Sequence, residues 1–406
     1  MRRFVLVILA MSWLQGCGGG KSSSRSAPPP AEDAGAPPGS TSDGGDGGDG
    51  GDGGDGAVPG AGSGTDYYVS PSGDDHASGT SPDHPWATIG KINGTMLKPG
   101  DTVHLSGKLT DHDITDQEGG ASAYILFEGD GTAVIKGILL QKSEYVAFSN
   151  LEASGATGSQ CGSLVTIRGS GPVQHIRFAG LHLHDSDRGV AVGNHTSGAV
   201  GNDLVFADTT ISNMQCEGVV LDDYAGDRIT FDGGKISNTG IHCPWHADGS
   251  GCHGIYASGG HHHVINGVAF SAPNLSWDVS LRRANTVVSN CRFSGNLMLE
   301  NVNEDEVVYR GYYYVFGNTF SGPGTAIYQG GDNDQGIPNP ENTWSIYDNT
   351  FASGELINFA DDGTGYYAYD YDVYMCHNTL DGAVVKMGTT ASGVTHDANA
   401  SQCPHP

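Results

Sequence analysis

The stretch VQHIRFAGLHLHDSDRGVAV, Val173 to Val192, carries the pattern on which the fold turns. Ile176, Phe178 and Leu183 are apolar at spacings of two and five, Gly180 interrupts the run, and Val190 and Val192 begin a second alternation. Short runs rich in Val, Ile and Phe, bounded by Gly, Asn and Asp and lacking a 3.6-residue period, read as strands. The same template of apolar, any, apolar, any four, apolar recurs along the chain. Its middle residue is Phe148, Phe178, Phe206, Phe231, Ile265, Val288, Val315, Ile346 and Met375, at steps of 23 to 34 residues. A second strand follows in most copies, as in EGVVL (217–221), HGIYA (253–257), WDVSL (277–281) and GNLML (295–299).

One such unit cannot bury its apolar face alone, whereas a stack can, so the period predicts a solenoid. Leucine-rich repeats share the period, but their Leu-x-x-Leu-x-Leu-x-x-Asn signature is absent and neither half of the repeat is helical. Adjacent rungs of such a stack lie about 4.8 Å apart, so equivalent residues form columns. The position before the second strand reads Arg188, Glu217, His253 and Trp277, and the position after it reads Gly193, Asp222, Ser258, Arg282 and Glu300.

The N-terminus opens with Arg2 and Arg3, then the apolar run Phe4 to Leu14, then Leu14-Gln15-Gly16-Cys17. The run is too short to span a bilayer and reads as an export signal over residues 1–16. The Leu-x-Gly-Cys ending resembles a bacterial lipobox, which implies lipidation at Cys17; Gly18 in place of aspartate points to the outer membrane. Residues 17–64 follow as a Gly/Asp/Pro-rich tether in which Asp43, Asp46, Asp49, Asp52 and Asp55 recur every third residue. Too little apolar surface is present there to offset the entropy of ordering. Residues 65–406 are predicted as one repeat domain, with 65–123 as its N-terminal cap region.

Beyond residue 64 there are 39 acidic against 15 basic residues. That balance disfavours nucleic acid as a partner and, among polysaccharides, favours neutral or calcium-bridged chains. No second apolar span exists, so membrane contact is expected through the lipid anchor only, and the exported chain is expected to be a monomer. Of eight cysteines, Cys17 is assigned to the anchor, and Cys243 with Cys252 is the closest pair, expected as a disulfide in an oxidising compartment.

Taken with the N-terminal segments DYYVSPSGDD, SPDHPWATI and LKPGDTVHL, the repeat resembles the right-handed parallel β-helix superfamily that includes pectate lyases and polygalacturonases. The resemblance implies an all-β fold, a right-handed single-stranded parallel β-helix of about nine to ten coils, with a short helix near Pro85-Trp86 plugging its N-terminal end. In polygalacturonases successive coils present Asn-Thr-Asp, Asp-Asp, Gly-His-Gly and Arg-x-Lys to the substrate. The matching places here are Asp187-Arg188-Gly189, Cys216-Glu217-Gly218, Cys252-His253-Gly254 and Leu281-Arg282-Arg283, of which the His-Gly pair agrees closely. On that resemblance Glu217 beside His253 is the candidate acid, Asp187 or Asp222 its partner carboxylate, and Arg282 the holder of a sugar carboxylate. Solvated turn residues are the competing reading of all of these.

A β-eliminating lyase is the rival enzyme, with a Lys or Arg base and often calcium. Lys235 is its candidate base, but it falls in a column with His182 and Arg292 on a different sheet from Glu217. Calcium could bind through Asp222-Asp223, Asp332-Asn333-Asp334 or Asp361-Asp362, none of which has a diagnostic ligand spacing. The longest step between repeats contains GIHCPWHADGSGCHGIYASGGHHH, Gly240 to His263, a lengthened turn directly before His253. Trp245 and Tyr256 offer faces to a sugar ring, with His246 and Arg283 as further substrate contacts. A zinc reading would use His242, Cys243, His246 and Cys252; the disulfide reading removes two of those ligands. His263 aligns with Ile176 and is expected inside. The expectation is a surface-anchored protein that cleaves polysaccharide, with a non-catalytic glycan-binding or adhesion module as the alternative.

Overall fold

The computed structural model describes residues 63–155, 162–169, 171–193, 200–242, 252–271, 277–282, 285–302, 311–322, 326–332, 342–352, 355–359, 370–386, 392–396 and 406. These form an all-β parallel solenoid. Three sheets of 13, 11 and 10 strands, here A, B and C, are each built from one strand per coil, so every strand pairs with its counterpart about one repeat away. Among the described residues one short helix accompanies them, Ile89–Asn93.

The repeat read from the sequence is the register of sheet A. Phe148, Phe178, Phe206, Phe231, Ile265, Val288, Val315, Ile346 and Met375 are successive cross-strand partners. The column continues upstream through Phe127, Val103 and Tyr67. Inside the solenoid Phe127, Phe148, Phe178, Phe206 and Phe231 stack with centroids 4.5 to 5.3 Å apart. Each fully buried ring removes apolar surface worth roughly 2–3 kcal/mol from water. A second stack, Phe270, Phe293, Phe320 and Phe351, lines sheet B further along.

The bounding Asn, Asp and Gly residues have a conformational cause. Between sheets A and B the rungs turn through left-handed residues, among them Asn150 (φ 55°), Gly180 (61°), Asp208 (47°), Asn290 (55°) and Asp348 (55°). Glycine adopts that region freely, and Asn and Asp tolerate it better than other side chains. Beside this turn Asn318 Nδ2 donates to Asn349 Oδ1 and Asn349 Nδ2 to Asn378 Oδ1, both at 3.0 Å, tying three coils together.

The segment expected only to cap the stack also supplies rungs: Asp66–Val69 pairs with Thr102–Leu105, which pairs with Ile125–Gly129. Those rungs, with Ser392–His396 at the other end, carry sheet A to 13 strands, beyond the nine to ten coils expected from the repeat. The helix starts three residues after Trp86. Thr88 caps it, its hydroxyl accepting from Lys91 N at 3.1 Å, and Ile89 and Ile92 enter the core. Trp86 is buried and donates through Nε1 to Ala77 O at 3.0 Å. Among the described residues no helix is long and apolar enough to cross a membrane. Cys17 and residues 1–62 as a whole lie outside the described residues.

Candidate functional site

Sheet C brings the sequence columns into line. Val190, Val219, Ile255, Val279, Leu297 and Ile327 are successive partners facing the core, and Ile357 continues the register. Two residues upstream, the same register aligns Arg188, Glu217, His253 and Trp277. One residue past the strand it aligns Gly193, Asp222, Ser258 and Arg282.

A local bulge sets where the first column points. Gly189 N and Val190 N both donate to Gly218 O, at 3.1 and 3.0 Å, a bulge-like irregularity that leaves the pairing of the neighbouring coils in register. Strict alternation would put His253 and Tyr256 on opposite faces, yet their rings meet at a centroid distance of 5.1 Å. Glycine is required where the bulge crosses the next rung: a Cβ on Gly218 would stand 2.6 Å from Gly254 O, and one on Gly254 would stand 2.4 Å from Asp278 O. The Glu-Gly and His-Gly pairs in the sequence thus record backbone geometry as well as chemistry.

Four coils then share one contact strip. Arg188 Nε donates to Glu217 Oε2 at 2.8 Å, with side chains 15% and 10% exposed. Gly218 N donates to His253 O at 3.0 Å, so Glu217 and His253 are immediate rung neighbours. The Tyr256 ring touches His253 on one side, and the Arg282 guanidinium carbon lies 5.3 Å from its centroid. Imidazole, phenol and guanidinium, three flat groups, therefore run across adjacent rungs beside an ion pair. Flat faces with a planar fork suit sugar rings and carboxylates.

The proposed carboxylate pairs are not equivalent. Glu217 and Asp222 lie five residues apart on either side of the strand Val219–Leu221, a backbone span of at most about 16 Å at 3.3 Å per residue. Glycoside hydrolysis needs its two carboxyl groups roughly 5–10 Å apart. Asp222 is turned to its own loop, where Oδ1 accepts from Tyr224 N at 2.9 Å. Asp187 is one rung and one residue from Glu217, about 6 Å between backbones. Its Oδ2 accepts from Gly162 N at 3.1 Å. Glu217 Oε2 is likewise an acceptor, from Arg188.

Cys252 and Cys376 are each disulfide-bonded, which withdraws Cys252 from the zinc set. Cys243, Trp245, His246 and Arg283 lie outside the described residues. Lys235 is exposed on sheet B, in the column His182, Thr210, Lys235, Ala269, Arg292, on a different sheet from Glu217. His263 is a core residue: Nδ1 accepts from Ile229 N at 3.3 Å and Nε2 donates to Gly259 O at 2.9 Å. Burial pushes its pKa down to about 4. One residue was not foreseen. Asp278 stands where three preceding coils carry Gly189, Gly218 and Gly254, is 0% exposed, and has its pKa pushed up to about 6 by burial. A charged residue interrupting a glycine column was the signal for it.

No known family profile matches the sequence, and no curated protein matches it. Solved structures do resemble it. A mannuronic acid specific family 6 polysaccharide lyase from human gut microbiota aligns over 75% of this chain and 77% of its own, at 16% identity and a TM-score of 0.49. A GH136 lacto-N-biosidase from Eubacterium ramulus aligns over 82% and 67%, at 14% identity and 0.48. A pectate lyase aligns over 84% and 81%, at 13% identity and 0.40. At these identities the likeness is one of fold, and the activities named belong to those proteins. The strand pairing itself shows a parallel β-solenoid.

Proposed function

We propose that this chain is a lipid-anchored surface protein that acts on polysaccharide along the outer face of sheet C. The observation that carries the reading is the strip in which Arg188 engages Glu217, His253 lies one rung on, and Tyr256 bridges His253 to Arg282. A glycan laid across the rungs would rest its rings on Tyr256 and His253 and present a carboxylate or hydroxyls to Arg282. Cleavage would be by hydrolysis or β-elimination, with Glu217 and His253 at the bond and Asp187 as the nearest second carboxylate. Calcium would bridge an anionic substrate to this acidic chain, whose net charge is −27. The anchor at Cys17 would hold the domain outside the cell, with Gly18 directing it to the outer membrane and residues 17–64 as tether.

A panel of neutral and uronate polysaccharides, with and without calcium, tests the reading by release of reducing ends or of unsaturated uronate absorbance. Glu217→Gln is expected to lower turnover on the responsive substrate at least a hundredfold, in the range of lost general acid–base catalysis. Full activity in that variant removes Glu217 from the chemistry. The second reading is a glycan-binding or adhesion module without turnover. The engagement of Glu217 by Arg188 and of Asp222 Oδ1 by Tyr224 N favours it over a two-carboxylate hydrolase built on that pair. Tight binding with no product, weakened by Tyr256→Ala, would establish it.

A further inference from the structure

Sheet B carries a second cluster, separate from the strip on sheet C. Strand His182–Ser186 alternates outward and inward: Leu183 is buried while His182 and His184 face out with ring centroids 4.4 Å apart. Glu152, on the preceding coil, is the register partner of His182. One donor atom from each of Glu152, His182 and His184 lies within 4.8 Å of the others.

The orientation of His184 is fixed from behind. Its Nδ1 is 2.6 Å from Asp185 Oδ2, and Asn213 Nδ2 holds the other oxygen of Asp185 at 3.1 Å. A carboxylate accepting from Nδ1–H leaves the lone pair on Nε2, the arrangement in which metal-bound imidazoles are held. That Nε2 is buried and faces Glu152 Oε1 across 3.3 Å. Two lone pairs at that distance repel unless a proton or a metal ion stands between them. Tetrahedral coordination at 2.0–2.1 Å separates ligand atoms by about 3.3 Å, the spacing found here.

We propose that Glu152, His182 and His184 bind one divalent transition-metal ion, zinc in the first instance, across two adjacent rungs of sheet B. Two imidazoles with one carboxylate select zinc, copper or nickel over calcium, which prefers all-oxygen ligands. The wider separation closes by rotation of His182, which is exposed, and the acidic surface draws cations toward it. Three protein ligands leave a position for water or for an external donor. Bound there, the ion staples neighbouring coils as a cross-strand clamp. Its outward position opens it to ligands approaching sheet B.

The test uses the full chain purified in detergent and stripped with chelator, titrated with zinc by calorimetry and with cobalt by visible absorption. One equivalent is expected, with the intense cobalt bands of a tetrahedral site, and a melting temperature raised by roughly 5 °C at a hundredfold excess over Kd. His182→Asn and His184→Asn are expected to abolish that equivalent, and Asp185→Asn to weaken it about tenfold without removing a ligand. Circular dichroism of the metal-free variants, unchanged from the parent, separates loss of the site from loss of the fold. Metal binding that persists in both histidine variants would place it elsewhere and overturn the assignment. No binding to the parent chain would overturn it too, leaving a protonated imidazole between the two carboxylates.

Discussion

Replacing Asp278 with Asn isolates one buried charge. Asp278 is 0% exposed; its Oδ2 accepts from Gly295 N at 2.6 Å, while Oδ1 is buried with no partner in the structure. Burial raises its pKa from 3.8 to about 6, an effect that outweighs the hydrogen bonds from Gly295 and Ser294. Each pKa unit corresponds to about 1.4 kcal/mol, so ionising Asp278 in the folded state costs on the order of 3 kcal/mol. The folded pKa is raised, so the folded state holds the proton more tightly. Stability is full below 3.8, falls as pH rises toward about 6, and stays lower above it. Asn keeps the acceptor for Gly295 and carries no charge at any pH. Its amide nitrogen adds a pH-independent offset, so the change of the difference with pH is the informative quantity. His263 works in the opposite direction: with its pKa depressed from 6.5 to about 4, stability is full above 6.5 and lost as pH falls toward about 4. In the parent the two slopes nearly cancel across the same window. The Asp278→Asn substitution should unmask the histidine, so that the variant loses roughly 3 kcal/mol between about pH 6.5 and 4 while the parent changes little from this pair. Urea unfolding followed by circular dichroism at a series of pH values measures both curves. A difference between variant and parent that does not vary with pH would refute the reasoning.

The bulge supplies a further test, because a Cβ on Gly218 would lie 2.6 Å from the Gly254 carbonyl oxygen. Gly218→Ala should destabilise the chain by roughly 1–3 kcal/mol in urea titrations and impair glycan binding by shifting Glu217 and His253, whereas a midpoint within error of the parent would show that the rung yields. Cys291 is buried with its thiol pushed up to about 12, so it should resist alkylation in the folded chain and react once the chain is unfolded, which mass spectrometry of labelled peptides distinguishes.

What the sequence by itself determined was the periodic part of the structure. Stacked parallel rungs require an apolar residue at the same phase of every coil and a left-handed turn at the same corner, and both constraints act locally on residue type. The sheet A partners could therefore be named from Phe148 to Met375, and the columns Arg188–Glu217–His253–Trp277 and Asp222–Ser258–Arg282 could be aligned before any coordinates. The extra rungs at either end escaped because their strands, such as Asp66–Val69, carry the template too weakly to be told from a cap. Tertiary structure alone decided which way the aligned residues face and how far apart they lie. The doubled hydrogen bond to Gly218 O re-aims a column that strict alternation would misplace, and the length of one strand separates Glu217 from Asp222 although both flank it in sequence. The same holds for the buried carboxyl of Asp278 and for Glu152 meeting His184 from the neighbouring coil. A repeat fixes which residues share a rung position, but the charge state and partners of a side chain depend on the dielectric and the atoms around it, and those exist only once the coils are stacked.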